Sequence, residues 1–294
     1  VAPEFENFGI VNKVITTDIN NDGWEDFISV GEWTNIGIFI NNKGVFKNTA
    51  NQSNLEDLYG WWFDIQETDV NNDGFKDYVI GNIGTNSKYK TNKTKPLKVF
   101  ADDLDENGTH DLVLSYVYKN EYVPFRGKEC STQQMPFIAE KIPTFNEFAN
   151  STLEDIYGEV VTTAYQRKVT EFSSLFLLNN GDSTFKINKL PELAQTIPIL
   201  SSDQYDINQD GYQDIIVGGN IYNTEVETPR LDNQFALVLL SNKKDNYIAI
   251  GPEKTGLYTN GNTKSLKIIK SEKPILIIVN NDSDSEVFDI NTKK

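Results

Sequence analysis

The sequence predicts an all-β protein, and more specifically a β-propeller that is incomplete within this chain and carries a short helical insertion. Three observations lead to this prediction. An aspartate-rich loop occurs four times, each copy lies between apolar, β-rich runs, and helix signals are confined to short stretches. Strand, loop, strand, Gly/Asn turn and strand form a unit of roughly 40–50 residues, which is typical of a propeller blade.

The composition supports a packed, acidic protein. Of the 294 residues, 38% are hydrophobic and 24% charged, and the formal net charge is −16. Such a surface repels phosphate backbones and anionic lipids, so we expect no nucleic-acid partner. No apolar run approaches the ~20 residues that a membrane helix needs, so no transmembrane segment is predicted in this chain. Because Val1 is not a starting methionine, we expect a processed product or a piece of a longer chain.

Residues typical of catalytic sites are scarce. Cys130 is the single cysteine and His110 the single histidine. One cysteine excludes an internal disulfide framework and a Cys-rich zinc site. One histidine removes most metalloenzyme and triad chemistry, because imidazole is the usual base near neutral pH. We therefore predict a protein without a catalytic site.

Each repeated loop carries oxygen-bearing side chains at positions 1, 3, 5 and 9 and glycine at position 6, and together the loops hold 12 of the 23 aspartates. Calcium takes about 6–8 oxygen ligands, so alternate side chains of one tight loop must converge. Glycine permits the positive φ that sharpens the turn, and position 7 would supply its backbone carbonyl. We predict up to four structural Ca²⁺ ions. Their ligands would be Asp18, Asn20, Asp22, Trp24 and Asp26; Asp69, Asn71, Asp73, Phe75 and Asp77; Asp103, Asp105, Asn107, Thr109 and Asp111; and Asp206, Asn208, Asp210, Tyr212 and Asp214.

Two other kinds of loop share part of this pattern. EF-hands begin in the same way but need glutamate at position 12 and flanking helices. Position 12 is here Ser29, Ile80, Leu114 or Val217, and β-rich runs flank every loop, so each loop is predicted at the tip of a β-hairpin. Metal-free Asx turns remain the alternative, although all four copies share aspartate at positions 1 and 9.

The motif Asp-x-Asn-x-Asp-Gly-x-x-Asp, followed by strand residues such as Asp77–Gly81, resembles the FG-GAP/VCBS repeat. This resemblance implies an integrin-α-like β-propeller with calcium in its blade loops, and Leu177–Gly181 and Val217–Asn220 fit the same family. The stretch Arg126–Pro136 is similar to a segment of long bacterial VCBS-repeat surface proteins of the cartilage-acidic-protein/UnbV-related group. Those proteins are typically exported lipoproteins, and this chain would match their C-terminal portion.

The spacing of the loops predicts the domain organisation. We expect one propeller region over residues 1–294, with four calcium-loop blades and a metal-free C-terminal blade at Leu266–Ile290. The first aspartates are 51, 34 and 103 residues apart, so an insertion is predicted at 119–170. The capping-box patterns Thr144-x-x-Glu147 and Ser151-x-x-Glu154 predict the starts of short helices within it. Seven blades would be usual for the family, so the remaining blades would lie upstream or on another segment. The insertion either covers a blade edge or recognises a partner, and its polar candidates are Arg126, Lys128, Glu129, Gln133 and Gln134.

These expectations combine into one leading function and two alternatives. The leading hypothesis is a non-catalytic, calcium-binding module in a bacterial cell-surface or outer-membrane assembly, outside the cytoplasm. Its partners would be other cell-surface or outer-membrane proteins, or glycans, and a lipid anchor in an upstream region is left open. The alternatives are a propeller enzyme of the polysaccharide-lyase type and an adhesion module whose exposed calcium coordinates the ligand.

Overall fold

The computed structural model describes residues 2–291, which form two compact units. The main unit consists of residues 2–88 and 172–291, and the inserted unit is Tyr89–Glu171. Strands hold 39% of the residues and helices 13%, which confirms the prediction of a β-rich chain. Within the described range no closed propeller is found, and no helix is long and apolar enough to cross a membrane.

The chain contains short strands throughout and a group of short helices in the inserted unit. The strands are β1 (Lys13–Thr17), β2 (Asp26–Val30), β3 (Glu32–Asn35), β4 (Gly37–Asn42), β5 (Val45–Asn48), β6 (Tyr59–Trp61), β7 (Asp64–Thr68), β8 (Asp77–Gly81), β9 (Leu97–Asp102), β10 (Asp111–Tyr118), β11 (Glu121–Pro124), β12 (Tyr165–Val169), β13 (Leu175–Asn179), β14 (Phe185–Lys189), β15 (Ser201–Tyr205), β16 (Asp214–Gly218), β17 (Leu237–Ser241), β18 (Tyr247–Ile250), β19 (Asn262–Ile269), β20 (Ile275–Asn281) and β21 (Glu286–Asp289). The helices are α1 (Lys128–Gln134), α2 (Phe137–Lys141), α3 (Phe145–Asn150), α4 (Leu153–Tyr157), α5 (Val160–Thr163) and α6 (Pro252–Thr255), with 3₁₀ turns at Pro3–Phe5 and Glu192–Thr196.

Four antiparallel sheets make up most of the main unit. The first has the order β1-β2-β4-β5, the second β7-β8-β13-β14, the third β15-β16-β17-β18 and the fourth β19-β20-β21. Strands β3 and β6 form a separate pair. The first three sheets each begin with a hairpin whose tip is an aspartate-rich loop, as predicted. The fourth sheet corresponds to the predicted metal-free repeat, and its first strand begins at Asn262, ahead of the predicted Leu266.

Apolar layers join these four sheets in sequence. Ile28 of the first sheet and Ile80 of the second belong to one buried cluster. Val79 shares a cluster with Ile215 of the third sheet, and Ile216 shares one with Leu276 of the fourth. Neighbouring residues of one strand therefore face opposite layers, because side chains alternate across a strand. This pattern explains the continuous apolar runs of β8 and β16, whose residues are buried on both faces.

Polar contacts tie the same sheets together. The Tyr78 hydroxyl lies 2.8 Å from that of Thr17, so the second sheet contacts the first strand of the first sheet. Asp64 of β7 is buried, pairs with Lys13 and accepts a hydrogen bond from Ser202, so it contacts the first strands of both neighbouring sheets. Burial raises the pKa of the Asp64 carboxyl, whereas Lys13 and Ser202 act to lower it.

A further ion pair joins distant segments of the main unit. Lys88 Nζ lies 2.8 Å from Glu225 Oε1, and the Thr228 hydroxyl donates to the same carboxylate. Partial burial acts to raise the pKa of Glu225, but these hydrogen bonds outweigh it and lower the pKa to about 2.

In the sequence, the inserted unit comes between two strands that are neighbours in one sheet. Strand β8 ends before it and β13 follows it, yet the two strands pair, with Ile80 opposite Leu175. The unit has its own sheet of order β11-β10-β9-β12, whose buried face packs against α1–α5 through residues such as Phe100 and Ile156. The third aspartate-rich loop connects β9 to β10 and so belongs to this unit.

The structure therefore differs from the predicted insertion at 119–170. The compact unit begins at Tyr89, because β9 and β10 pair with β11 and β12 and not with strands of the main unit. The third loop is consequently part of the insertion, whereas the spacing of the motifs predicts it in a blade of one propeller region.

The helix starts in the insertion agree with the sequence at one position and differ at another. Thr144 and Glu147 form the predicted capping box of α3. The second box is formed by Thr152 and Asp155, one residue after the predicted start at Ser151. The Ser151 hydroxyl instead donates to the Glu147 carbonyl at 2.8 Å, so Ser151 hydrogen-bonds the end of helix α3 and does not start α4.

Candidate metal sites in the aspartate-rich loops

The four loops share one conformation. Glycine at position 6 has a positive φ in every copy, from +85° at Gly23 to +89° at Gly74, as predicted. Position 4 also lies in the left-handed region, with φ between +55° and +58°. Asparagine tolerates that region, which fits Asn21 and Asn72, but the third and fourth loops have Glu106 and Gln209 there. The second left-handed residue was not predicted, and only the asparagines carried a signal for it.

Side-chain oxygens at positions 1, 3 and 5 turn inwards in all four loops. In the first loop the Asp18 carboxylate accepts hydrogen bonds from the backbone N–H groups of Asp22 and Gly23 at 3.0 and 2.9 Å. Asn20 Oδ1 also accepts from Asp22 N–H, and Asp22 Oδ1 accepts from Trp24 N–H at 2.9 Å. The other three loops repeat these contacts. The predicted side-chain ligands at these positions therefore surround one short segment of each loop.

The position 9 aspartates are the most buried members of the set. Asp26, Asp77 and Asp214 have no exposed surface, and Asp111 is 7% exposed. One oxygen of each accepts the N–H of loop position 2, as Asp77 Oδ2 does from Val70 at 3.0 Å. In the main unit the other oxygen accepts an N–H from the third strand of the sheet, as Asp77 Oδ1 does from Asn179 at 2.9 Å. This anchoring role was missed, because spacing within the loop carries no information about the third strand.

Burial shapes the electrostatics of the loops. It raises the pKa of the Asp77 carboxyl to about 6, with smaller contributions from the charges of Asp73 and Asp69. Burial also raises the pKa values of Asp26 and Asp214. The loops thus hold carboxyl groups for which ionisation is costly unless positive charge is nearby.

In the inserted unit three carboxylates come close together. One oxygen each from Asp103, Asp105 and Asp111 lies within 4.8 Å of the others. The second oxygen of Asp111 accepts a hydrogen bond from the Gln134 side chain at 3.3 Å, so helix α1 supplies the contact that the third strand makes in the main unit. The donor set of this loop suits a hard cation that prefers oxygen ligands.

The loop after β15 has a side-chain cation of its own. Lys243 Nζ lies 3.0 Å from Asp210 Oδ2 and 5.2 Å from the centre of the Tyr212 ring. The hydrogen bond to Asp210 raises the pKa of Lys243. A predicted calcium ligand in this loop is therefore already paired with an ammonium group.

The three main-unit loops lie side by side. The Asn21 side chain at position 4 of the first loop donates to the Gly74 carbonyl of the second at 3.4 Å. The equivalent Asn72 donates to the Gly211 carbonyl of the loop after β15 at 3.1 Å. The Asn179 side chain also donates to the Ile19 carbonyl at 2.8 Å, which joins the second sheet to the first loop. The repeated motif predicted the loops, but not that they contact one another.

The five predicted partner-binding residues of the insertion are placed differently from one another. Arg126, Glu129 and Gln133 are exposed. Lys128 is half-buried, with its ammonium 5.7 Å from the centre of the Phe145 ring. Gln134 is directed at Asp111 and the Leu112 carbonyl, so its side chain supports the third loop.

Comparison with known proteins identifies one repeat. Residues 18–80 match the family model of an FG-GAP-like repeat. This segment contains the first two loops and strands β2–β7, and it begins after β1 and ends one residue before the end of β8. No curated protein matches the chain. The relationship to UnbV-type lipoproteins stays a prediction.

Solved structures that match this chain include a lectin and the BBS1N–ARL6DN complex. The first is an Agrocybe aegerita lectin whose structure explains its recognition of non-reducing terminal N-acetylglucosamine. It is 17% identical to this chain, the match covers 81% of this chain and 65% of the lectin chain, and the TM-score is 0.19. The other is BBS1N in complex with ARL6DN, 8% identical, with 97% and 94% covered and a TM-score of 0.21. Scores this low support no conclusion about fold or function.

Proposed function

We propose that this chain is a non-catalytic interaction module in which calcium fixes the geometry of the aspartate-rich hairpin loops. The observation that carries the proposal is the hydrogen-bond pattern within the loop at positions 1, 3, 5 and 9, which recurs in four loops, two of them within the FG-GAP-like repeat. Four copies of one oxygen-rich turn are difficult to explain by turn formation alone, since simpler Asx turns close hairpins elsewhere in this chain, as at Asn41.

The chemistry of the loops fits calcium. Each would offer carboxylate and amide oxygens at positions 1, 3, 5 and 9 together with the carbonyl of position 7, and calcium accepts about 6–8 such ligands. Hydrogen bonds from backbone N–H groups leave these oxygens able to bind a cation, because a carboxylate has about four lone-pair sites. A bound cation would favour the ionised form of buried carboxyls such as Asp77, whose pKa is otherwise raised.

The setting of the module is proposed from the sequence resemblance. Calcium sites of extracellular modules bind at roughly 10⁻⁴–10⁻³ M, which suits a protein outside the cytoplasm. We place the chain in a bacterial cell-surface or outer-membrane assembly with protein or glycan partners. The inserted unit supports a recognition role, because insertions carried on a rigid scaffold commonly hold binding residues.

Thermal unfolding in EDTA, millimolar Ca²⁺ and millimolar Mg²⁺ tests the calcium proposal. A ligand that binds only the folded state raises its stability by about 2.7 kcal/mol at 100 times Kd. We expect a calcium-selective rise in Tm and a stoichiometry of up to four by calorimetry. Asp18→Asn should lower the stoichiometry by one, whereas Asp182→Asn, at a hairpin tip outside the four loops, should leave it unchanged. No calcium-selective rise, with no calcium by elemental analysis, would overturn the proposal.

A second candidate is an adhesion module whose calcium coordinates the ligand directly. Exposure of position 5 in three loops, at Asp22, Asp73 and Asn107, favours it, since ions there would be reachable from solvent. The two candidates differ in their response to EDTA. Loss of partner binding with retention of the fold would support direct coordination, whereas joint loss of fold and binding would support a structural role.

A further inference from the structure

Lys98 of the inserted unit is a half-buried lysine without an acidic partner in the described part of the chain. Lys98 lies on β9, on the face of the sheet that packs against the helices, and is half-buried. Its ammonium is 4.6 Å from the centre of the Tyr122 ring and 5.8 Å from that of Phe100. Gln166 Oε1 accepts its hydrogen bond at 3.2 Å. Among the described residues no carboxylate lies within 4.0 Å of this ammonium, so its charge has no acidic partner.

The strand next to Lys98 adds a second positive charge. Lys168 of β12 is directly opposite Lys98 in the antiparallel register, so both side chains leave the same face of the sheet. Like charges directly opposite each other destabilise a sheet. Burial lowers the pKa of Lys98, and the Lys168 charge lowers it further. An anion placed at Lys98 would relieve both effects.

The strand on the other side of β9 carries a buried serine opposite Lys98. Ser115 of β10 is opposite Lys98 in register and has no exposed surface. Its Oγ lacks a hydrogen-bond partner within residues 2–291. Most buried polar atoms are hydrogen-bonded in folded proteins, but Ser115 does not line the pocket beside Lys98, so its hydroxyl offers no contact to a ligand there.

Lys98 lines a pocket between the sheet and helices α4 and α5. The pocket has a volume of about 320 Å³, within the range of small-ligand sites. Phe100, Leu153 and Val161 form buried apolar parts of its wall. Thr152, Thr162 and Gln166 add hydroxyl and amide groups, and Glu121 and Glu154 are exposed at the pocket.

We propose that this pocket binds a carboxylate-bearing sugar, with Lys98 as the anchor for the carboxylate. The hydroxyl, amide and glutamate groups suit a polyhydroxylated body, because they offer both donors and acceptors. A singly charged ligand fits better than a phosphate dianion, since two glutamates line the pocket. The inserted unit has 10 Lys and Arg against 13 Asp and Glu, a net charge of −3, so little of the chain's −16 opposes an anion here.

Calorimetric titration of the 294-residue protein tests the proposal, with D-glucuronate, D-glucose and inorganic phosphate as probes. The titration is run once in EDTA and once in millimolar Ca²⁺, with circular dichroism to show that the protein is folded in each buffer. Failure of the calcium proposal and failure of this one are then separate results. We expect glucuronate to bind at least tenfold more tightly than glucose or phosphate. Lys98→Met should weaken glucuronate binding at least tenfold. Lys95→Met, at an exposed lysine three residues earlier, is the matched control and should leave it unchanged.

A second measurement covers the case in which Lys98→Met disturbs the fold. Reductive ¹³C-methylation labels the lysines of the folded protein, and the Lys98 signal is identified by its absence in Lys98→Arg. We expect glucuronate, but not glucose, to shift this signal. Equal binding of glucuronate and glucose, tighter binding of phosphate, or an unmoved Lys98 signal at saturating glucuronate would each overturn the proposal.

Discussion

The buried aspartate at position 9 has a structural role that does not require a metal, and replacing Asp77 by alanine measures it. Asp77 has no exposed surface and accepts N–H groups from Val70 at 3.0 Å and Asn179 at 2.9 Å. Both donors belong to buried residues. The Asp77→Ala variant in EDTA would leave both N–H groups without an acceptor, so the hairpin loop would lose its attachment to β13.

The expected loss follows from these two contacts. A buried donor without a partner costs about 1–3 kcal/mol, so two would cost about 2–6 kcal/mol. Ionised Asp77 is itself penalised by burial, which raises its pKa to about 6. Removing that carboxylate also removes its desolvation penalty at neutral pH, which offsets part of the loss. We therefore expect a net decrease of about 2–4 kcal/mol in the free energy of unfolding.

Urea unfolding in EDTA at pH 7.5 is the assay, and Asp73→Ala in the same loop is the control. Asp73 is exposed and its contacts stay within the loop, so its replacement should cost under about 1 kcal/mol. Asp77→Asn keeps one acceptor and should fall between the two. If Asp77→Ala were no more destabilising than Asp73→Ala, the anchoring argument would be refuted.

Three further predictions concern other contacts. Gly31→Ala should lower the free energy of unfolding in urea by several kcal/mol, because the new Cβ would lie 1.7 Å from a backbone carbonyl oxygen. Gly127→Ala is the control, since its Cβ meets nothing within 4 Å in the described structure, and it should cost under about 1 kcal/mol. Equal losses in the two variants would contradict this prediction. The pKa of Glu225 is lowered to about 2, so the ionised carboxylate stabilises the fold fully above the ordinary pKa of 4.5, and this stabilisation is lost as the pH falls towards 2. The difference in free energy of unfolding between wild type and Glu225→Gln should therefore shrink over that range. A difference that stays constant with pH would disprove the prediction. Lys243→Met should raise the calcium affinity of the loop that contains Asp210 by up to about fivefold in calorimetry, because a partly exposed ion pair contributes about 0–1 kcal/mol. Unchanged affinity would show that Lys243 does not compete with calcium for the Asp210 carboxylate.

Much of the loop structure was predictable because its rules are local. Turn geometry depends on adjacent residues, so the hairpin tips and the positive φ of Gly23 followed from the motif. The boundary of the insertion was not predictable, since it depends on the pairing of β8 with β13 across the whole inserted unit. Local patterns also left a choice at α4, where Ser151 and Thr152 each precede an acidic residue by three positions.

The candidate site divides in the same way. Positions 1, 3 and 5 contact only their own loop, and the repeat identified them. The attachment of position 9 to the third strand and the support of Asp111 by Gln134 depend on residues far away in sequence. Lys98 carried no sequence signal, because its environment arises when β9, β11 and β12 come together.

The amide contacts between the main-unit loops bear on the order in which ions would be taken up. Because Asn21 contacts the second loop and Asn72 contacts the loop after β15, a loop ordered by one ion lowers the conformational entropy that its neighbour must still lose. The proposed ions would therefore bind these three loops cooperatively, with a Hill coefficient above 1. The loop of the inserted unit has Glu106 at position 4, which lacks the amide that Asn21 and Asn72 use, so it would fill along a simple saturation curve. Calcium uptake by the whole protein would then have two phases, and Asn72→Ala would flatten the cooperative one.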